Sequence, residues 1–578
     1  MTPDRFLCWS KPDGNIQSEA HIAVSAIGYT PVALNGAATL LIGTDTRCII
    51  SADRHIALIG MVFDRDNRAV TRLEPPRTAN TGALVDWLFQ NFWGSYVAVM
   101  ADPKSTVVIA RDPSATAQCY LLEAGDLSLA GNRVRDMVRI AGIRPSVDWV
   151  QAIRHLMAIQ YRSEATSLAG IMELLPGSMR CLTTGSDSEM RWTPWRFADR
   201  EKLILHSSQA EEVLRQAILS TSKAWASQFR HGVLCLSGGL DSSILAAALV
   251  HGGLSCTAVN FLSGTRTGNE YHFAKTVADT LAIPLEARSR QDRDVDITRS
   301  HADHLPRPTA RSFWQAGEAI LSDITDAVSG DALFHGGGGD NVFCFLQSVA
   351  PILDRLQIEG PDRGAVTTLR DVCTLTGCSL SEAALKTIQR LITGRKRFGW
   401  SLDDNMLTET ARTVGPPAFD HPWLQPPNGG LAGSAAHIAL ILAIQNYLEG
   451  YRHELTMPVI SPLLSQPVVE TCLRIPSWMW CEHGLNRAVA RKACADLLPS
   501  GILARRSKGT PDGYLVALFE RHRKAIRCLL HEGNLAGQGL LDLDAVDRVI
   551  GREGPVQGLA YARILSLCDM EAWSQSWH

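Results

Sequence analysis

Seven consecutive residues, Ser237-Gly238-Gly239-Leu240-Asp241-Ser242-Ser243, have the composition of an anion cradle. The two glycines let backbone N–H groups close around a phosphate, and three serine hydroxyls add donors. An apolar run at 233–236 precedes the segment and an alanine-rich run at 244–250 follows it. That order reads as strand, turn and helix, so a helix N-terminus adds its partial positive charge. Asp241 is a poor phosphate neighbour alone, because like charges repel. It suits Mg²⁺, which would neutralise the phosphates in turn. No Gly-Lys-Ser or Gly-Lys-Thr sequence occurs, so a P-loop lysine is missing.

Two further segments could complete a site. His335-Gly336-Gly337-Gly338-Gly339-Asp340 follows a short apolar run at 332–334. Its glycines allow close backbone approach to a ligand, and Asp340 offers a second carboxylate for magnesium. Arg505-Arg506-Ser507-Lys508-Gly509 interrupts the chain between a helix ending near 498 and a Gly/Pro turn. Lys508 there could stabilise negative charge building on an α-phosphate. A helix at 485–492 sets Arg487 and Arg491 four residues apart, either as two exposed charges or as site-lining ones.

The elements that must position these residues fall into two patterns. Short strand-like runs at 20–26, 47–51, 56–63, 96–101 and 106–110 are separated by Gly, Asp and Pro turns. They predict an antiparallel, layered α+β domain over 1–200, with 192–200 as linker. Beyond it, strands at 233–236, 256–262 and 332–334 alternate with helices, one of them over 269–281. This predicts a doubly wound parallel α/β sheet within 201–578, with ligands off the carboxyl ends of its strands. Residues 394–430 lack periodicity, contain two Pro-Pro pairs and read as a long loop with room to move.

Composition narrows the function. The 578 residues are 46% hydrophobic and 20% charged, with a formal net charge of −3, so nothing suggests a general nucleic-acid or anionic-membrane binder. Fourteen cysteines are scattered without paired CxxC or zinc spacing, and Cys235 and Cys256 read as small apolar side chains. Met1 to Arg5 lacks a signal-peptide core, and no apolar run of about 18 residues marks a membrane span. A reduced, cytoplasmic setting is the expectation.

The Ser237–Ser243 pattern resembles the pyrophosphate loop of ATP pyrophosphatases of the asparagine-synthetase type. Residues 230–515 resemble the synthetase domain of class B asparagine synthetases. The Ser237 loop, Asn269-Glu270, the glycine run and the Arg505 segment keep that family's order. Residues 1–195 are similar to its N-terminal class II glutaminase domain, of Ntn-hydrolase fold. The carrying segments are Phe92-Trp93-Gly94-Ser95-Tyr96-Val97-Ala98, Arg111-Asp112-Pro113 and Leu175-Pro176-Gly177. The resemblance implies a degenerate amidotransferase-like domain followed by an ATP-pyrophosphatase domain.

Departures refine the resemblance. The glutaminase needs a cysteine freed at the N-terminus, but Thr2 follows Met1 and the first cysteine is Cys8. The family's Asn-Gly-Glu-Ile-Tyr-Asn segment is Ile59-Gly60-Met61-Val62-Phe63-Asp64 here, and Ile59 and Met61 cannot pair with a glutamine head. Where asparagine synthetases carry Ser-Gly-Glu-Gly-Ser-Asp-Glu, this chain has His335 to Asn341, and Gly337 is expected to leave space for a bulkier substrate. Gly336 to Phe343 together with Ser461-Pro462-Leu463-Leu464-Ser465-Gln466-Pro467 resembles lasso-peptide macrolactam synthetases.

That resemblance implies adenylation of an Asp or Glu side chain in a precursor peptide, followed by attack of the peptide's own N-terminal amine. ATP and Mg²⁺ are the implied cofactors. Asp241 and Asp340 hold the metal, and Ser237, Gly238, Gly239, Leu240, Ser242 and Ser243 hold pyrophosphate. Asn260, in the 259–261 backbone, contacts adenosine along with Gly336 and Gly337, and Lys508 acts in catalysis. The implied partners are the precursor peptide, a leader peptidase and a leader-binding protein. The rival readings are an ammonia-using asparagine synthetase, a β-lactam-type synthetase and a non-catalytic ATP-binding scaffold.

Overall fold

The computed structural model describes every residue except 1–2, 11–27, 37, 78–79, 102–105, 126, 263–269, 310, 395–397, 451, 507–511, 553 and 555–557. Runs of β-branched and aromatic residues in the first 200 positions form two antiparallel sheets of six strands each among the described residues. One sheet has the order Ile171–Glu173, Tyr120–Ala124, Leu127–Gly131, Phe6–Ser10, Ala38–Gly43, Tyr29–Val32. The other runs Glu189–Met190, Ser178–Cys181, Val107–Arg111, Phe92–Ala101, Ile56–Asp64, Cys48–Ile50. Four of the five expected strand runs are found here. The run at 20–26 lies outside the described residues.

Strand alternation sorts side chains between two cores. Ala57 and Ile59 face the layer between the sheets, with Phe6, Val97, Val99 and Leu121. Ile56, Leu58 and Phe63 face outward into a second core that also holds Trp225, Leu240 and Leu463 of the following half. The other sheet's outward residues Leu7, Tyr120 and Leu122 share a core with Ile564, Leu567 and Trp573 of the helix Ala560–Gln575. The C-terminal half therefore supplies part of the cover that an antiparallel sheet needs on its exposed face.

A buried ionic cluster crosses the same boundary. Glu173 accepts from Arg111 at 2.6 Å, Arg162 at 2.7 Å and Arg307 at 2.8 Å. Arg162 also pairs with Glu449 at 2.7 Å, and the Tyr120 hydroxyl donates to Glu449 at 3.0 Å. Burial opposes ionisation of Glu173, but the three guanidiniums outweigh it and hold its carboxyl well below the usual range. The expected linker at 192–200 is a packed seam. Trp192 and Trp195 are buried, and the Trp195 ring N–H donates to the Trp423 carbonyl at 2.8 Å.

The following half holds a five-stranded parallel sheet in the order Leu285–Ser289, Ser255–Leu262, His231–Cys235, Ala332–His335, Val459–Ile460. From His231–Cys235 the chain winds to one edge, then returns to its other side at Ala332–His335. Cys235 is in register with His335, so the loops after these strands leave side by side at the topological switch point. The expected long loop at 394–430 is largely irregular among its described residues. It contains the helix Glu409–Thr413 and a turn at Pro422–Leu424, with Trp423 only 1% exposed. Among the described residues, no helix is long and apolar enough to cross a membrane.

Candidate active site

The strand His231–Cys235 delivers Ser237 to the N-terminus of the helix Leu240–His251. Gly239 is the N-cap and offers no side chain, so the first N–H groups of this helix are left for another acceptor. Ser243 donates its hydroxyl to the Gly239 carbonyl at 2.8 Å, which pins the turn from within. It is fully buried and supports the cradle rather than lining it. The hydroxyls of Ser237 and Ser242 lie 3.1 Å apart. Gly238 has φ +73°, and a Cβ there would come within 2.6 Å of the Ala274 nitrogen. Only glycine fits this turn without displacing the backbone beside it.

The second glycine run packs directly on the first loop. A Cβ on Gly336 would sit 2.8 Å from the Ser242 nitrogen, and one on Gly339 would sit 2.4 Å from Asp241 Cβ. This close approach brings Asp340 beside Asp241. Arg487 Nη1 donates to Asp241 Oδ2 at 2.8 Å and Oδ1 at 3.0 Å, and to Asp340 Oδ1 at 2.5 Å. Two carboxylates thus converge on one cationic nitrogen. Among the described residues, no group of three or more His, Cys, Asp or Glu side chains could hold a metal ion. Two carboxylates suit Mg²⁺, which is usually held by one or two of them, with phosphate oxygens and water completing the shell.

Both loops open into a cavity of about 440 Å³. At one end stand the serines, Asp241, Arg487, Arg491 and Arg505. At the other stand Phe261, Phe313, Trp314 and Tyr514, with Arg290 among their rings. The Arg290 guanidinium carbon lies 4.7 Å from the Tyr514 ring centre and 5.3 Å from that of Phe261. Burial and then the Arg487 charge pull Arg491 down to about 10, so it stays cationic at neutral pH. Arg505 pairs with Glu270 and donates to the Gly238 carbonyl at 2.9 Å, tying the segment before Lys508 to the cradle. A cation-rich end and an aromatic end match the phosphates and base of a nucleotide.

His335 occupies the floor. Its Nδ1 accepts from the Gly337 N–H at 3.1 Å, which places the ring proton on Nε2, 2.9 Å from the Ser461 hydroxyl. Burial lowers His335 to about 4, so it is neutral at pH 7. The space expected beside Gly337 is therefore taken. A Cβ there would lie 2.6 Å from His335 Nδ1, because the imidazole fills the direction that a side chain would use.

Of the residues marked in the sequence, the cavity is lined by Ser237, Gly239, Leu240, Asp241, Ser242, Asn260, Gly336 and Gly337. Asp340 reaches it through Arg487. Asn260 donates to the Leu236 carbonyl at 2.8 Å, and its Oδ1 has no hydrogen-bond partner among the described residues. Lys508 and Asn269 lie outside the described residues. The sequence reading left Arg487 and Arg491 undecided; both are buried and line the cavity. Their helix begins only at Ala488, with Arg487 as a left-handed N-cap. Arg290, Trp314 and Tyr514 went unmarked. Arg290 directly follows Leu285–Ser289, and the carboxyl-edge rule could have found it. Trp314 carried no local signal.

The N-terminal half has no free thiol at a site. Cys8 is fully buried in the strand Phe6–Ser10, and burial pushes its thiol far above the usual range. Ile59 and Met61 are 3% and 6% exposed and line a small cavity of about 130 Å³ with Pro3, Asp4 and Ser95.

A search of solved structures gave a purine-biosynthesis allosteric regulatory enzyme at 10% identity and TM-score 0.22, covering 50% of this chain and 80% of that chain. It also gave a B. subtilis glutamine phosphoribosylpyrophosphate amidotransferase complexed with ADP and GMP, at 10% identity and TM-score 0.21, covering 49% and 65%. Such scores bear on neither fold nor function. No curated protein matched the sequence. A family model described as asparagine synthase matches residues 213–575, which is more than half of the chain and spans every residue lining the 440 Å³ cavity. The chain thus belongs to the asparagine synthase family and is an ATP-dependent carbon–nitrogen ligase of asparagine-synthetase type.

Proposed function

We propose that this ligase closes a macrolactam ring within a ribosomal peptide. ATP binds with its base among Phe261 and Trp314 and its β- and γ-phosphates in the Ser237–Ser243 cradle. Asp241 and Asp340 would hold Mg²⁺, which when bound offsets phosphate charge. The substrate's side-chain carboxylate attacks the α-phosphorus, and pyrophosphate leaves into the cradle. The resulting acyl adenylate is then attacked by the peptide's N-terminal amine, and AMP departs with the carboxyl oxygen. Lys508 stabilises the charge that develops in both transition states.

The observation that carries the reading is the Ser237–Ser243 cradle beside an N-terminal half whose first cysteine, Cys8, is fully buried in a strand. A buried Cys8 is not placed to release ammonia from glutamine, and an amine carried by the substrate needs no such source. The precursor peptide, a leader peptidase and a leader-binding protein are its partners in this reading. The rival is synthesis of asparagine or a β-lactam, which the family membership accommodates equally. Nucleotide products separate the readings when peptide, aspartate with ammonium, or neither is supplied. Peptide-dependent AMP release is expected, and AMP release that requires aspartate and ammonium would overturn the proposal.

A further inference from the structure

Arg487 stands where a divalent cation would be needed. Asp241 is 7% exposed, and a buried carboxylate next to another is costly unless a cation pairs with both. The guanidinium bridges them with one nitrogen, Nη1, which stands between the carboxylates where a metal ion would. Arg487 holds this pose from a left-handed backbone, φ 54°, which a non-glycine residue adopts only when its surroundings require it. Its guanidinium carbon lies 5.7 Å from the Phe345 ring centre. The same cavity holds the buried Oδ1 of Asn260, unpartnered among the described residues, so the site is built to receive a polar ligand.

We infer that Arg487 is a placeholder for the metal: it neutralises Asp241 and Asp340 in the nucleotide-free protein, yields them to Mg²⁺ when ATP arrives, and turns to the phosphates. A guanidinium pairs with phosphate oxygens as readily as with carboxylates, so the exchange strands neither charge. Metal alone must compete with Arg487. Metal together with a polyphosphate gives Arg487 a new partner, so each ligand favours the other. The site therefore resists Mg²⁺ until the nucleotide is present. This rests on the nucleotide-and-metal reading of the cavity and is independent of which acceptor the ligase uses.

The test uses the full-length protein and Mn²⁺ as a spectroscopic substitute, titrated by electron paramagnetic resonance with and without pyrophosphate. Wild type is expected to bind Mn²⁺ weakly alone and about tenfold more tightly with pyrophosphate. Arg487→Met is expected to bind Mn²⁺ alone about tenfold more tightly than wild type and to lose most of the pyrophosphate enhancement. Equal or weaker Mn²⁺ binding by Arg487→Met would overturn the inference. Asp340→Asn separates the two levels. If it binds Mn²⁺ as wild type does, the carboxylate reading itself is wrong and the inference falls with it. A crystal structure of wild type with Mg²⁺ and pyrophosphate decides the matter without any variant. Arg487 is expected on the pyrophosphate, and Arg487 still bridging both aspartates would contradict the exchange.

Discussion

Asp241 and Asp340 stand in the first turns of helices that follow two neighbouring parallel strands, and their carboxylates meet on a single nitrogen of Arg487. The meeting depends on missing side chains, since a Cβ on Gly339 would overlap Asp241. Sheet order sets the loops side by side, glycines let them touch, and the carboxylates then require a cation.

Gly238→Ala tests the cradle. The left-handed turn costs an L-residue about 1–2 kcal/mol, and the new methyl would press on the Ala274 nitrogen. AMP formation is expected to fall by about tenfold or more, since each 1.4 kcal/mol is a factor of ten. The melting temperature should fall as well, because Gly238 is buried and the methyl presses on the Phe273–Ala274 backbone. Nucleotide chromatography beside thermal denaturation checks this, and unchanged AMP formation would count against the cradle.

Lys508→Ala tests the catalytic assignment. Losing a donor aimed at developing charge costs about 10²–10³ in rate. Product formation should fall by that much while ATP affinity, measured by calorimetry, is retained. A parallel fall in affinity would make Lys508 a ground-state contact instead.

Glu173→Gln tests the ionic cluster between the halves. Removing one partner of a buried pair costs about 3–5 kcal/mol, readable by denaturant unfolding. The sign with pH follows from the lowered carboxyl. Its stabilisation is complete above its ordinary value of 4.5 and is lost as pH falls below that, as the unfolded state takes up the proton first. Wild type should therefore lose stability in acid more steeply than Glu173→Gln.

Cys8→Ala should leave ligation unchanged, and glutamine should yield no glutamate in either protein. The buried Cys8 thiol and the apolar Ile59 and Met61 are the reasons. Glutamate release matching AMP formation would refute this.

Much of the parallel sheet was legible because its signals are local. Residues 233–236 are apolar, the glycines follow at once, and the helix after them is alanine-rich. Arg487 was ambiguous because helical spacing alone cannot tell an exposed charge from one buried against distant carboxylates. Nothing local marks Trp314 or Tyr514 as neighbours of Phe261, because the contacts of Arg290 with all three rings join remote parts of the chain. Gly337 misled for a related reason. A missing side chain suggested space, but His335, two residues earlier, folds back into it. The cover that the C-terminal half lends to the N-terminal sheets was also beyond reach, since each sheet's own pattern says only that a face is apolar.

The most direct measurement of the central claim incubates the full-length protein with ATP, Mg²⁺ and a leader-free candidate precursor peptide, then follows nucleotide and peptide together by chromatography and mass spectrometry. The account predicts AMP and pyrophosphate in step with a peptide lighter by one water. ADP as the product, or AMP formed from aspartate and ammonium while the peptide stays linear, would contradict it.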